Sequence, residues 1–300
     1  MKLDLDRSMR ARVIARRPMR YARGADASID RPAHVRAASA LVWVGARLCV
    51  VQDDASFLGV VDPSSGLVDD VPFAAGPGGA RTFDVARGNK RDKPDLEAAF
   101  ALDDVLIAIG SGGPIDARQV IVTWRPGEDP RMLARPRLFA ALARAIVGGD
   151  QSLNLEGATR VRDEVWIANR GGDRGSADAI ARWPRSVFDQ ILADETFAPP
   201  APSVETIELG AIDGVPLHLT EIRTYRDRVW FTAAAEATDS FYDDGANRGS
   251  AIGTLDRGYA ILEDTREKIE GLAVSAQIFA CIDADDPSVP AALLELQLDV

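Results

Sequence analysis

The chain has little of what most enzymes and metal centres are built from: two cysteines, two histidines and an aromatic content of 6% in 300 residues. Cys49 and Cys281 lie inside apolar strand-like stretches, which predicts buried free thiols, and no cysteine–histidine cluster of zinc-site spacing is present. There is no Gly-x-Ser-x-Gly elbow, GSGGP at 110–114 is too short for a phosphate loop, and RGNKRDK at 87–93 is only a modest basic run. Positive charge is also scarce. With 35 basic against 46 acidic residues the net charge is −11, which gives nucleic acid or an anionic membrane surface little to hold. No apolar run is long enough to span a bilayer, and the N-terminal MKLDLDRSMRARVIARRPMR lacks the apolar core of a secretion signal, so a cytoplasmic location and no membrane partner are expected.

What the chain does have is repetition. PDLEAAFALDDVLIAI from Pro94, LNLEGATRVRDEVWIA from Leu153, HLTEIRTYRDRVWFTA from His218 and EKIEGLAVSAQIFACI from Glu267 each deliver a glutamate into a strand, a turn and an apolar return strand. Glu97, Glu156, Glu221 and Glu270 stand eight or nine residues before the first apolar residue of the return, namely Val105, Val165, Val229 and Ile278. A degenerate fifth copy, RAASALVWVGARLCVV from Arg36, has Ser39 or Ala40 in the glutamate's place. Copies roughly 50–65 residues apart suit a unit of four short strands repeated around an axis.

Alternation of apolar and polar residues places strands near 40–44, 47–53, 56–62 and 67–73, then 95–101, 104–110, 118–124 and 131–136. The third set falls near 154–161, 164–169, 177–183 and 203–209, and the fourth near 217–224, 228–234, 249–255 and 258–263. Helical spacing appears only at 137–149 and 184–194. The last unit offers three strands, near 268–274, 277–283 and 291–298, and the partnerless alternation at 10–16 supplies the fourth. The expectation is an all-β chain of one domain, a five-bladed β-propeller closed by its N-terminal strand, because closure removes the open edges of a linear array. A sixth blade would have to hide in the long 62–94 stretch.

Inner strands of a propeller line its channel, so the repeat glutamates should converge at one mouth, with Asp53, Asp54, Ser111, Asn169, Glu236 and Asp283 above or beside them. Carboxylates brought together must share protons, pair with bases or bind a cation, and hard oxygen donors of this kind suit Ca2+ or Mg2+. Arg223 and Lys268, two positions from a glutamate, offer neutralisation without a metal, and the glutamates would then serve as bridges between blades. The loop 169–178 adds Arg170 and Arg174 as grips for an anionic group, and the polar loop 235–250 adds Asp239, Asp243, Asp244 and Asn247 around Tyr242. His218 is the candidate general base, with Glu221 beside it in the catalytic role.

The NLEGA and KIEGLA copies, with IDADDPSVPAALLELQL after the second, resemble the Asn/Lys-x-Glu-Gly pattern of uncharacterised bacterial propellers related to the esterase-like domain of phytases. The resemblance covers about residues 35–300 and implies the propeller fold first. Two functions fit these residues: a divalent-cation-dependent hydrolase of an ester, lactone or phosphoester, or a noncatalytic propeller binding a small ligand or protein partner over the same mouth.

Overall fold

The computed structural model describes residues 1–148, 152–172, 177–237, 246–284 and 286–299. Five four-stranded antiparallel blades surround an axis. From the inside outward, blade 1 is Ala38–Val44, Arg47–Gln52, Phe57–Val61 and Leu67–Pro72, and blade 2 is Leu96–Leu102, Val105–Gly110, Val120–Trp124 and Arg131–Ala134. Blade 3 is Leu155–Val161, Glu164–Asn169, Asp178–Pro184 and Ser203–Ile207, and blade 4 is His218–Tyr225, Arg228–Ala237, Ala246–Thr254 and Gly258–Ile261. Blade 5 takes Ile269–Val274, Ile278–Ile282 and Ala292–Asp299 from the C-terminal end and its outermost strand, Arg10–Pro18, from the N-terminal end. That strand pairs along its length, from Arg10 with Asp299 to Pro18 with Ala292, so the open edge of blade 5 is covered.

The N-terminal segment does more than close one blade. Leu3 N donates to Glu208 O and Asp6 N to Tyr259 O, which ties residues 1–9 to the outer sides of blades 3 and 4 before the chain enters blade 5. Arg20 and Tyr21 then run parallel to Leu67 and Val68, adding a fifth strand to blade 1. The stretch that a sixth blade would have needed carries the outer strand Leu67–Pro72, two 3-10 turns, Pro77–Gly79 and Lys90–Asp92, and a single bridge from Thr82 to Ala55.

Five apolar clusters fill the gaps between neighbouring blades, one per gap; Leu41, Val50, Phe279 and Leu293, for example, join blades 1 and 5. Between blades 2 and 3 the two helices extend this core. Pro136–Ile146 begins with the residue whose fixed φ suits a first turn and buries Leu138, Phe139 and Leu142, and Arg185–Ala193 buries Phe188 and Ile191. Arg135 donates to Ile191 O at 2.6 Å and Leu192 O at 2.8 Å, satisfying carbonyls at the end of the second helix.

Candidate functional site

Every inner strand carries one β-bulge near its start. The register skips Ser39 in blade 1, Glu97 in blade 2, Glu156 in blade 3, Thr220 in blade 4 and Glu270 in blade 5. An unpaired bulge residue is released from the pleat and can be aimed anew, and bulges are common beside functional sites. Here Glu97, Glu156 and Glu270 line a cavity of about 640 Å3 at the mouth of the channel, with Ser39 at its edge. The glycines after two of these glutamates have a steric cause. A Cβ on Gly157 would lie 2.6 Å from Ile222 N of blade 4, and one on Gly271 would lie 2.7 Å from Ala40 Cα of blade 1.

Blade 4 differs from the sequence expectation, because its bulge residue is Thr220 and Glu221 follows it. Side chains alternate along a strand, so a shift of one position turns the carboxylate away from its counterparts. Glu221 is fully buried and does not line the cavity; its Oε2 accepts from Arg223 Nη2 at 2.5 Å and its Oε1 from Ile222 N at 2.9 Å. Arg223 in turn donates to Leu272 O at 2.9 Å, Ala99 O at 2.6 Å and Ala158 O at 3.2 Å, the inner strands of blades 5, 2 and 3. This pair crosses the channel below the cavity and joins four blades.

The cavity wall is a network of ion pairs. Toward blades 1 and 2, Lys93 Nζ stands 2.5 Å from both Asp53 Oδ2 and Asp95 Oδ1, while Asp95 also meets Arg118 at 3.2 Å and accepts from Ser111 Oγ at 2.5 Å. Burial opposes ionisation of Asp95, yet Lys93 and Arg118 hold it below the usual carboxylate range. Asp95 occupies the left-handed region at φ 53°, a strained position for a residue with a side chain. Arg36 lies 2.8 Å from Asp54 and 3.2 Å from Asp84. Burial, and then the Asp53 carboxylate, push Asp54 up to about 7 against the pull of Arg36. One oxygen each of Asp53, Asp95 and Glu97 lies within 4.8 Å of the others, an acidic group of a size that could hold a metal ion. Glu97 is raised well above the usual range, by burial first and then by Asp53, Asp95 and Glu156.

On the other side, Arg170 joins Glu156 at 3.5 Å to Glu236 at 2.7 Å, and Asn154 Nδ2 donates to Glu156 Oε1 at 3.0 Å. Lys268 reaches Glu270 at 2.7 Å and Glu236 at 3.7 Å. Burial dominates Glu270: opposed by Lys268 and reinforced by Glu156, it pushes the carboxyl up to about 7. His218 also lines the cavity, at the first position of the inner strand of blade 4. Its Nδ1 lies 3.4 Å from Oδ2 of the buried Asp178, whose Oδ1 accepts from Gly171 N at 2.7 Å and Leu219 N at 3.3 Å.

Of the expected site residues, Glu97, Glu156, Glu270, Arg170, Lys268, Asp283 and His218 meet at this cavity. Glu221 and Arg223 lie beneath it, and Asn169 is buried behind it, accepting from Asn154 N and donating to Arg170 O. Asp243 lies outside the described residues, as do Arg174, Asp239, Tyr242 and Asp244. Sequence reasoning missed Lys93, Asp95, Arg118, Arg36 and Asp178. For two of these a signal existed: Lys93, Asp95 and Glu97 are spaced two apart, as are Lys268 and Glu270, which puts each set on one side of an extended chain.

These features define a five-bladed β-propeller with a charged cavity at one end of its channel. The chain belongs to the family of unknown function DUF6929, whose model matches residues 34–298. The family match carries nothing of the narrower likeness to the phytase-associated domain that the NLEGA and KIEGLA motifs suggest. No curated protein matches the sequence. Among solved structures, Myxococcus xanthus glutaminyl cyclase aligns over 97% of this chain and 97% of its own, with TM-score 0.50 and 12% identity. Virginiamycin B lyase from Staphylococcus aureus covers 87% of this chain and 95% of its own at TM-score 0.42 and 9% identity. The mannose phosphorylase MPT-4 from Leishmania mexicana covers 95% and 88%, at TM-score 0.45 and 11% identity. At 12% identity, the likeness to the glutaminyl cyclase is one of fold.

Proposed function

We propose that the chain is a hydrolase of a small polar ester or lactone, with His218 as general base and Glu270 as general acid. The observation that carries this reading is the approach of His218 Nδ1, which has no hydrogen-bond partner among the described residues, to within 3.4 Å of the buried Asp178, with the His218 ring in the same cavity as a carboxyl pushed up to about 7. Nδ1 faces Asp178, which leaves Nε2 to take a proton from water as the water oxygen attacks the carbonyl carbon. Asp178 stabilises the imidazolium so formed, and the 3.4 Å separation shortens as charge develops. As the C–O bond breaks, protonated Glu270 gives its proton to the leaving oxygen, and the imidazolium returns one to the carboxylate through water. Assays with p-nitrophenyl acetate, p-nitrophenyl butyrate and γ-butyrolactone test this. Turnover is expected, and His218→Asn should slow it by about 100-fold or more with an unchanged melting temperature. If none of the three is hydrolysed, or if His218→Asn keeps the wild-type rate, the reading fails; a ligand-raised melting temperature without turnover would leave a noncatalytic binding propeller.

A second reading rests on the convergence of Asp53, Asp95 and Glu97 oxygens within 4.8 Å. These hard donors suit Ca2+ or Mg2+, and Asp53 Oδ1 is buried without a hydrogen-bond partner among the described residues. The Lys93 ammonium, 2.5 Å from two of the three carboxylates, already supplies positive charge there, so a divalent ion would have to displace it. When bound, such an ion would polarise a carbonyl oxygen. A melting temperature that rises with Ca2+ or Mg2+ and falls again with chelator would favour this reading.

A further inference from the structure

Positive and negative charges around the cavity are used unequally. Arg36 is taken up by Asp54 and Asp84, Lys93 by Asp53 and Asp95, and Arg118 by Asp95. Arg170 is taken up by Glu156 and Glu236, and Lys268 by Glu236 and Glu270. Each of these five cations already faces a carboxylate, so an anionic ligand held by them would have to break an existing pair and leave a carboxylate uncompensated; Lys90, which also lines the cavity, is exposed to solvent. Glu97 presents the reverse situation. It lines the cavity, yet among the described residues no hydrogen bond or ion pair reaches its carboxyl group, and beside it Asp53 Oδ1 is buried and equally without a hydrogen-bond partner. A buried acceptor without a donor, such as Asp53 Oδ1, is costly, and Glu97, half-buried and open to the cavity, stands beside it with no donor from the described residues, so a ligand that brings donors satisfies both.

Resting on the reading of this cavity as a substrate site, we infer that the substrate carries an ammonium group, received by Glu97 and the free oxygen of Asp53. An ammonium brings three donors on one compact charge, which matches the Glu97 carboxyl and Asp53 Oδ1 and, unlike a metal ion coordinated by Asp53 and Asp95 together, leaves Lys93 in place on Asp53 Oδ2 and Asp95 Oδ1. The cavity, at about 640 Å3, is of small-molecule size rather than that of a bare ion. A quaternary ammonium fits less well, because recognition of that group uses aromatic faces and Phe83 is the only phenylalanine, tyrosine or tryptophan among the described lining residues. Glu97 enters from blade 2 and His218 from blade 4, so the ammonium and the bond to be cleaved belong to different ends of the substrate.

Calorimetric titration of the purified full chain with L-alaninamide, N-acetyl-L-alaninamide and CaCl2 tests the inference. L-alaninamide is expected to bind at least tenfold more tightly than its acetylated counterpart, and Glu97→Gln should abolish that preference while leaving the weaker binding of N-acetyl-L-alaninamide and the melting temperature unchanged. Equal binding of the two amides, binding of neither, a preference that survives Glu97→Gln, or Ca2+ displacing L-alaninamide at equal concentration would overturn it. Its failure is distinguishable from that of the hydrolase reading. Amine preference without ester turnover removes the chemistry and keeps the ammonium site, whereas turnover of neutral esters without amine preference does the opposite.

Discussion

Blades 3 and 4 begin their inner strands with nearly the same sequence pattern and put their glutamates to different uses. In blade 3 Glu156 is the bulge residue and faces the cavity, where Arg170 and Asn154 bind it. In blade 4 the bulge falls on Thr220, whose hydroxyl bonds that of Thr232, and Glu221 one position later is fully buried against Arg223. One residue of register separates a cavity-lining acid from a structural one. A repeat in sequence therefore identifies blades reliably, but the residue that serves the mouth is set by where the bulge falls.

The axial pair of blade 4 is where the largest effect is expected. Arg223→Ala removes donors to carbonyls in three other blades and leaves Glu221 as an uncompensated buried charge, which should cost about 3 kcal/mol or more. For a chain of this size that lowers the melting temperature by about 6 °C. A loss below about 1 kcal/mol, measured by denaturant unfolding, would mean that the blades do not depend on this pair.

The glycine that follows Glu156 sharpens the comparison next. Gly157→Ala would place a methyl group 2.6 Å from the backbone nitrogen of Ile222 and 2.9 Å from Glu221 Oε1, so blades 3 and 4 must separate slightly. Overpacking of that kind costs about 1–3 kcal/mol. Blade 2 already carries alanine at the matching position, Ala98, and Ala98→Gly should cost less than Gly157→Ala. If Gly157→Ala melts like the wild type, the close approach is not what selects glycine.

Much of the fold was legible because strands advertise themselves by alternation and because a ring must close. The stretch 10–16 reads as an orphan strand, and blade 5 lacks one; Arg10–Pro18 fills the place. The parallel addition of Arg20–Tyr21 and the ties from Leu3 and Asp6 to blades 3 and 4 were not legible, since short backbone contacts leave no periodic trace. The site was half legible. Glu97, Glu156 and Glu270 follow from the repeat, but distances measured to the first apolar residue of the return strand hid the slip in blade 4, where pairing begins at Arg228 and not at Val229. The partnership of His218 with Asp178 spans two blades and forty residues of chain, and nothing in either local sequence announces it.

A smaller effect distinguishes the carboxyls at the mouth by their titration. Glu270, raised from 4.5 to about 7, binds a proton in the folded chain that the unfolded chain has released over that interval. Its contribution is thus fully present below pH 4.5 and is lost as pH rises through 7, on the order of 1 kcal/mol per pH unit before the Lys268 pairing is allowed for. Between pH 5 and 7, Glu270→Gln should flatten the fall in stability seen by denaturant unfolding. An unchanged slope would place the titration on other groups, Asp54 first among them.

The smallest effect on stability is expected from Glu97→Gln, and its contrast with Glu156→Gln is informative for that reason. Glu156 accepts from Asn154 and Arg170, so its amide variant weakens bonds that the folded chain makes and should cost about 1–2 kcal/mol. Glu97 makes no such bonds among the described residues and stands close to the carboxylates of Asp53 and Asp95, so replacing it by a neutral isostere removes repulsion and breaks nothing. Its melting temperature should stay within about a degree of the wild type or rise slightly. A marked loss in Glu97→Gln, as large as that in Glu156→Gln, would make Glu97 a structural acid like Glu221, and the blade 2 carboxyl would then belong with blade 4 rather than with the open mouth.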